Sequence, residues 1–198
     1  MKTVAESCER NKVPILEVLK PIFADRNTVL EVGSGTGQHA VFFGESMPHL
    51  TWQTSELPGN HPGIQAWLDE ANLSNVLPPL ALDVRENAWP IEKVDAIYTA
   101  NTLHIVSWEA VESFFAGVGR ILEPGGLVAI YGPFNYGGNF TSESNAKFDL
   151  WLKDRDPLSG IRDFEAIEAL ALGVGLKLVQ DYEMPANNRI LFWQRMTK

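Results

Sequence analysis

Cysteine is almost absent from this sequence: Cys8 stands alone among 198 residues. A single cysteine excludes an internal disulfide framework, and with it the small stapled folds of secreted domains. Long apolar runs are lacking too. No stretch approaches the roughly 20 consecutive apolar residues of a membrane-spanning helix. Met1 to Lys12 is polar and holds no apolar signal-peptide core. The expectation is a cytoplasmic chain with no membrane partner.

Positive charge is scarce and scattered. Sixteen Lys and Arg face 25 Asp and Glu, for a net charge of -9. Grip on a phosphate backbone needs clustered cations, so nucleic acid is not the expected partner. A small molecule or a protein side chain suits an acidic surface better. Of the four histidines, His39, His49 and His61 show no metal-ligand spacing, and with one cysteine no metal site is expected. Repeats, low-complexity tracts and long linkers are missing as well. The length fits one domain over residues 1–198, and an apolar share of 45% is enough to bury a core. The composition is silent on oligomeric state.

What is present is an alternation of short apolar runs with helix-period segments, the pattern of an α/β fold on a mainly parallel sheet. Pro14 to Phe23 reads as a first helix. Thr28 to Val32 reads as a buried strand and Gln38 to Glu45 as the helix after it. Leu50 to Ser55 is a second strand, and Ile64, Trp67, Leu68 and Ala71 mark the next helix. Pro78 and Pro79 limit a third strand within Val76 to Leu82 to its last few residues. Ala96 to Ala100 is a fourth strand. Val111, Phe114, Phe115, Val118 and Leu122 share a helix face that stops at Pro124-Gly125-Gly126, and Leu127 to Tyr131 is a fifth strand. Phe148, Trp151 and Leu152 suggest a short helix in a long insertion; Phe164, Ile167, Leu170 and Ala171 mark the last helix. Leu176 to Tyr182 and Arg189 to Arg195 are joined too closely for a parallel crossover, so they form an antiparallel hairpin. About seven strands result, five of them parallel. Ligands of such sheets lie beyond the carboxyl ends of the strands.

The strongest local signal is Glu31-Val32-Gly33-Ser34-Gly35-Thr36-Gly37, between a strand and a helix. Glycines permit a tight turn and close ligand approach, and the free N–H groups of the helix start favour an anion. A dinucleotide fingerprint, G-x-G-x-x-G, would place its third glycine at position 38, which is Gln38. A nicotinamide-dependent oxidoreductase is therefore disfavoured. An ordinary glycine-rich turn is the alternative with no ligand.

An acid followed by G-x-G-x-G resembles motif I of the Rossmann-like S-adenosylmethionine-dependent methyltransferases, and the terminal hairpin resembles their sheet. The chain is similar, more closely, to a methyltransferase-like family of unknown substrate. The matching stretches include Glu9-Arg10-Asn11-Lys12, Ser34 to Ala40, Trp67, Leu82-Asp83-Val84, Trp89-Pro90, His104-Ile105, Tyr131-Gly132-Pro133, Ser144-Asn145, Phe148-Asp149, Gly160 to Asp163 and Met184 to Asn188. Ser159 departs from the aromatic expected before Gly160, which bears on the insertion loop.

The resemblance implies a three-layer Rossmann-like sandwich, S-adenosylmethionine as cofactor, and methyl transfer. It also allows a non-catalytic protein that keeps the cofactor pocket. Gly33, Gly35 and Gly37 would let the methionine part lie against the turn, with Arg10 as the cation for its carboxylate. Glu56 would accept from the ribose hydroxyls, or is a solvated loop acid. Asp83 would accept from the adenine amino group, with the Val84 N–H on the ring, or is an N-cap. Asn101 would lie near the transferred methyl, or is a turn residue. His104 is either a general base or a core histidine. Tyr131, Asn135, Tyr136, Arg162, Asn187 and Asn188 could line an acceptor pocket; capping and turn chemistry is the alternative. Trp52, Trp67, Trp89, Trp151 and Trp193 read as packing residues.

Overall fold

The structure is a computed structural model that describes residues 2–197. Helix α1 (Glu6–Ile22) precedes β1 (Thr28–Val32), α2 (Gln38–Ser46), β2 (Thr51–Glu56), α3 (His61–Ala71), β3 (Val76–Ala81) and β4 (Val94–Ala100). Then follow α4 (Trp108–Ile121), β5 (Leu122–Gly132), β6 (Phe134–Asn135), α5 (Glu143–Arg155), β7 (Arg162–Asp163), α6 (Phe164–Gly173), β8 (Leu176–Met184) and β9 (Asn188–Arg195). The main sheet has the order β3-β2-β1-β4-β5-β9-β8. Its first five strands are parallel, while β9 runs antiparallel to both β5 and β8. Short strands β6 and β7 pair separately. No described helix is long and apolar enough to cross a membrane.

Both sheet faces are buried, which is why the inner strands read as near-continuous apolar runs. Leu30, Val32, Ile97, Val128 and Ile130 face α4 and α6, where they meet Phe114, Phe115, Val118 and Ile167. The alternate positions Val29, Ala96, Tyr98, Ala129 and Tyr131 face α1, α2 and α3, against Ile15, Leu19, Phe43 and Ile64. This is a three-layer Rossmann-like sandwich. The order reverses between β1 and β4, so the carboxyl ends of β1, β2, β4 and β5 surround the crevice at that switch.

Four elements differ from the sequence reading. Helix α1 starts at Glu6, not near Pro14, and runs through Pro14. Its buried residues, Ile15 and Leu19, lie after that proline; the earlier turns are held by polar contacts and carry no apolar period to read. Strand β3 keeps its prolines and spans Val76 to Ala81. Proline is tolerated on a sheet edge, and β2 side chains repair the ladder: Gln53 Nε2 donates to the Pro78 carbonyl at 2.8 Å and Thr54 Oγ1 to that of Leu77 at 2.7 Å. Leu122 begins β5 and does not end α4; it pairs with Val94, and the strand register shifts before Leu127. The insertion helix α5 covers three full turns, with Ser142 Oγ accepting from the Asn145 amide at 3.1 Å as its cap.

Candidate functional site

The turn from β1 into α2 is stitched to the end of β2. The Ser34 amide donates to the Ser55 carbonyl at 2.9 Å, and the Ser55 amide donates to Ser34 Oγ at 3.1 Å. The three glycines have different tasks. A Cβ on Gly33 would stand 2.9 Å from Thr102 Oγ1, and one on Gly37 would stand 3.2 Å from the Ile64 backbone. Both therefore allow the turn to pack against its neighbours. Gly35, at φ +56, has nothing within 4 Å of that position and is open where a ligand would lie. Its amide donates to Glu56 Oε2 at 3.1 Å, while Glu56 Oε1 accepts from the Leu57 amide at 2.7 Å.

Glu31 is buried beneath this turn and accepts from Trp52 Nε1 at 3.1 Å. Burial pushes its carboxyl up to about 7, against the opposing pull of the Trp52 and Ser34 hydrogen bonds. At the end of β3, Asp83 accepts from Arg85 Nε and from the Arg85 amide, at 2.9 and 3.0 Å. That hydrogen-bonded cation holds its carboxyl below the usual range. Asp83 thus closes a local turn and caps no helix. Val84 packs on the core, and its carbonyl accepts from Trp89 Nε1.

Asn101 leaves β4 in the left-handed region at φ +55, and its amide donates to the Tyr131 carbonyl at 2.9 Å. His104 is buried with its ring edge-on to Phe148 at 5.3 Å. Burial, and then the Arg162 cation, lower its imidazole to about 4, so it is neutral near pH 7.

The remaining candidates separate into several places. Tyr131 faces α1, across the sheet from His104. Tyr136 donates its hydroxyl to Asp181 at 2.7 Å and stacks on Phe164. Arg162 clamps the loop around His104: its Nε donates to the Leu103 carbonyl at 3.0 Å and its guanidinium also reaches the Val106 and Leu158 carbonyls. Asn187 ties the β8–β9 hairpin to α5, with its carbonyl accepting from Asn145 Nδ2 at 3.1 Å. Asn188 bonds the carbonyls of its own turn. Arg10 points to solvent and pairs with Glu6 at 3.3 Å. Asn135 is different: its Oδ1 is buried and has no partner among the described residues.

Sequence reasoning missed a polar network at the start of α2. Gln38 Oε1 accepts from the Ala5 amide at 2.5 Å and from Thr36 Oγ1 at 3.0 Å, and Gln38 Nε2 donates to Glu9 at 2.7 Å. His39 Nε2 meets Asn11 Oδ1 at 2.8 Å and its Nδ1 faces the Tyr98 hydroxyl at 3.4 Å. The signal available was Gln38 itself, polar where a fingerprint glycine was awaited.

The chain matches the family described as "Protein of unknown function (DUF938)" over residues 2–195. It belongs to that family. Sterol 24-C-methyltransferase of Pneumocystis carinii (strain B80) is 26% identical to this DUF938 member over 174 residues, which is 84% of this chain and 44% of that protein. An O-methyltransferase family protein from Burkholderia thailandensis superimposes with a TM-score of 0.81 at 17% identity, covering 94% of this chain and 56% of its own. The S-adenosylmethionine-dependent methyltransferase SibL, in its apo form, gives a TM-score of 0.81 at 22% identity, covering 96% and 56%. At these identities the two structures share the fold. The DUF938 chain spans roughly half the length of these relatives.

Proposed function

We propose that this chain is an S-adenosylmethionine-dependent methyltransferase acting on a small molecule or a protein side chain. The observation that carries the reading is the Glu56 carboxylate, hydrogen-bonded to the Gly35 amide at the one glycine of the turn that is open to a ligand. The fold shared with methyltransferases and the distant likeness to a sterol methyltransferase support it.

The residues present suit such a cofactor. Both Glu56 oxygens keep a lone pair for the ribose diol. Asp83 and the Val84 amide lie past β3 for the adenine edge, although Asp83 would share its oxygens with Arg85. The glycine turn and the start of α2 offer N–H groups to the carboxylate, and Arg10, exposed and paired with Glu6, would have to leave that pair to serve it. Glu31 lies below, and Asn101 ends the strand beside which the reacting carbon would lie. When bound, the cofactor supplies a methyl group already activated on a sulfonium. The chain then has to align the acceptor and exclude water, and alignment alone can lower a barrier by roughly 7–11 kcal/mol.

A buried neutral imidazole that resists protonation fits His104 as the hydrogen-bond acceptor that orients an attacking hydroxyl or amine, taking its proton only as the bond to carbon forms. The buried Asn135 Oδ1 would accept from a donor on the acceptor molecule; Tyr136, Arg162, Asn187 and Asn188 would shape its surroundings through the loops they hold, whereas Tyr131, on the α1 face of the sheet, would lie apart from them.

A thermal shift with S-adenosylmethionine, S-adenosylhomocysteine and reduced nicotinamide cofactor, side by side, tests this. A ligand at a hundredfold excess over its Kd stabilises by about 2.7 kcal/mol, a Tm rise of roughly 5–10 °C for a chain of this size. The rise is expected with the two sulfur compounds only. No rise with either, for protein freed of co-purified ligand, overturns the reading. Binding without turnover of any acceptor would leave a cofactor-binding protein.

A further inference from the structure

Helix α1 is built in two halves of different kinds. After Pro14 it is anchored by apolar burial at Ile15, Leu19 and the following Phe23. Before Pro14 it has no fully buried apolar residue, and proline removes one amide donor at the junction. What holds residues 5–13 is polar. Gln38 is 3% exposed and uses three hydrogen bonds, to the Ala5 amide, the Thr36 hydroxyl and the Glu9 carboxylate. His39 adds a second tie through Asn11. In a dinucleotide site, position 38 would be a glycine packed close to the sheet; here its side chain is spent on gripping another helix.

We propose that Gln38 is a positioning residue that latches residues 5–13 of α1 over the glycine turn, making this half-helix the wall for the amino-acid end of a bound sulfonium nucleoside. The latch rests on the cofactor reading above. The adenine end, past β3 at Asp83, lies outside its reach. Gln38→Glu faces the Glu9 carboxylate with a second one, whereas Gln38→Glu combined with Glu9→Gln restores a donor and an acceptor with the roles exchanged and the net charge unchanged.

The test compares binding of S-adenosylhomocysteine with that of 5′-methylthioadenosine, which lacks the amino-acid end, and follows amide hydrogen exchange along α1. Gln38→Glu is expected to weaken S-adenosylhomocysteine by about tenfold, to leave 5′-methylthioadenosine nearly unchanged, and to speed exchange over residues 6–13 but not 15–22. The exchanged pair is expected to recover both. Ala5→Pro, which removes one latch donor outside the helices, serves if Gln38→Glu fails to fold; it should speed the same amides. Equal losses for both nucleosides, no recovery in the exchanged pair, or unchanged exchange over residues 6–13 would overturn the latch. If the wild type binds neither nucleoside, the cofactor reading fails, and the exchange data alone decide whether Gln38 holds the helix.

Discussion

Glu56 Oε2 accepts the Gly35 amide at 3.1 Å, so the carboxyl end of β2 is tied to the middle of the glycine turn across 21 positions of sequence. The same carboxylate is the one proposed to accept the ribose hydroxyls. Glu56→Gln keeps an acceptor for Gly35 but loses the charge. Its affinity for S-adenosylhomocysteine should fall by roughly 10- to 100-fold, the worth of a charge-assisted hydrogen bond, with Tm of the unliganded protein lowered only by the lost acceptor for the Leu57 amide, about 1 kcal/mol or a few degrees. Calorimetric titration measures the first and a melting curve the second.

Gly33 and Gly35 should separate stability from binding. Gly33→Ala combines a left-handed φ of +74 with a contact on Thr102, which should cost roughly 2–4 kcal/mol and lower Tm by roughly 5–15 °C. Gly35→Ala, with open space around it, should cost only about 1 kcal/mol of backbone strain yet place a methyl where cofactor would lie. Similar losses of Tm in the two variants would contradict this division.

Stability should fall on both sides of a narrow pH range. His39 and His104 are each lowered to about 4, mainly by burial. Their contribution is complete above the ordinary histidine value near 6.5 and is lost as pH falls towards 4. Glu31, pushed up to about 7 by burial, acts in the opposite sense: its contribution is complete below about 4.5 and is lost as pH rises through 7. Glu31→Gln can still accept from Trp52, so its urea midpoint should gain on the wild type between pH 5 and pH 8. A constant gap across that range would refute the assignment.

With any acceptor that is turned over, His104→Ala should lower kcat by about 100-fold or more if His104 takes part in proton transfer. An unchanged rate, measured by product formation at saturating cofactor, would leave His104 as a packing residue beside Phe148.

Much of this was legible in the chain. The inner strands announce themselves because both faces of the sheet are buried, so Leu127 to Tyr131 is apolar without a break and Thr28 to Val32 is interrupted inside only by Glu31. The glycine turn announces itself by spacing. The first turns of α1 do not, because their partners Gln38 and His39 lie some 30 positions away and helical periodicity registers apolar faces, not polar grips. Pro78 and Pro79 misled for a related reason: the repair comes from Gln53 and Thr54 on the next strand. For Arg162, Asn187 and Asn188 a linear reading leaves pocket wall and loop clamp equally open, since polar side chains that hold loops together and polar side chains that bind ligands share one composition. Only the geometry tells them apart.

The same two prolines have a consequence for the chain among its neighbours in a crowded solution. Adjacent amides along a strand point to opposite sides, so Pro78 and Pro79 together strip one donor from each margin of β3. The outer margin of the sheet is left with a gap in its hydrogen-bonding template, and a strand from another molecule laid alongside would find its register interrupted midway. The irregularity that hides β3 from a reader of the sequence also guards the sheet against growing by one more strand.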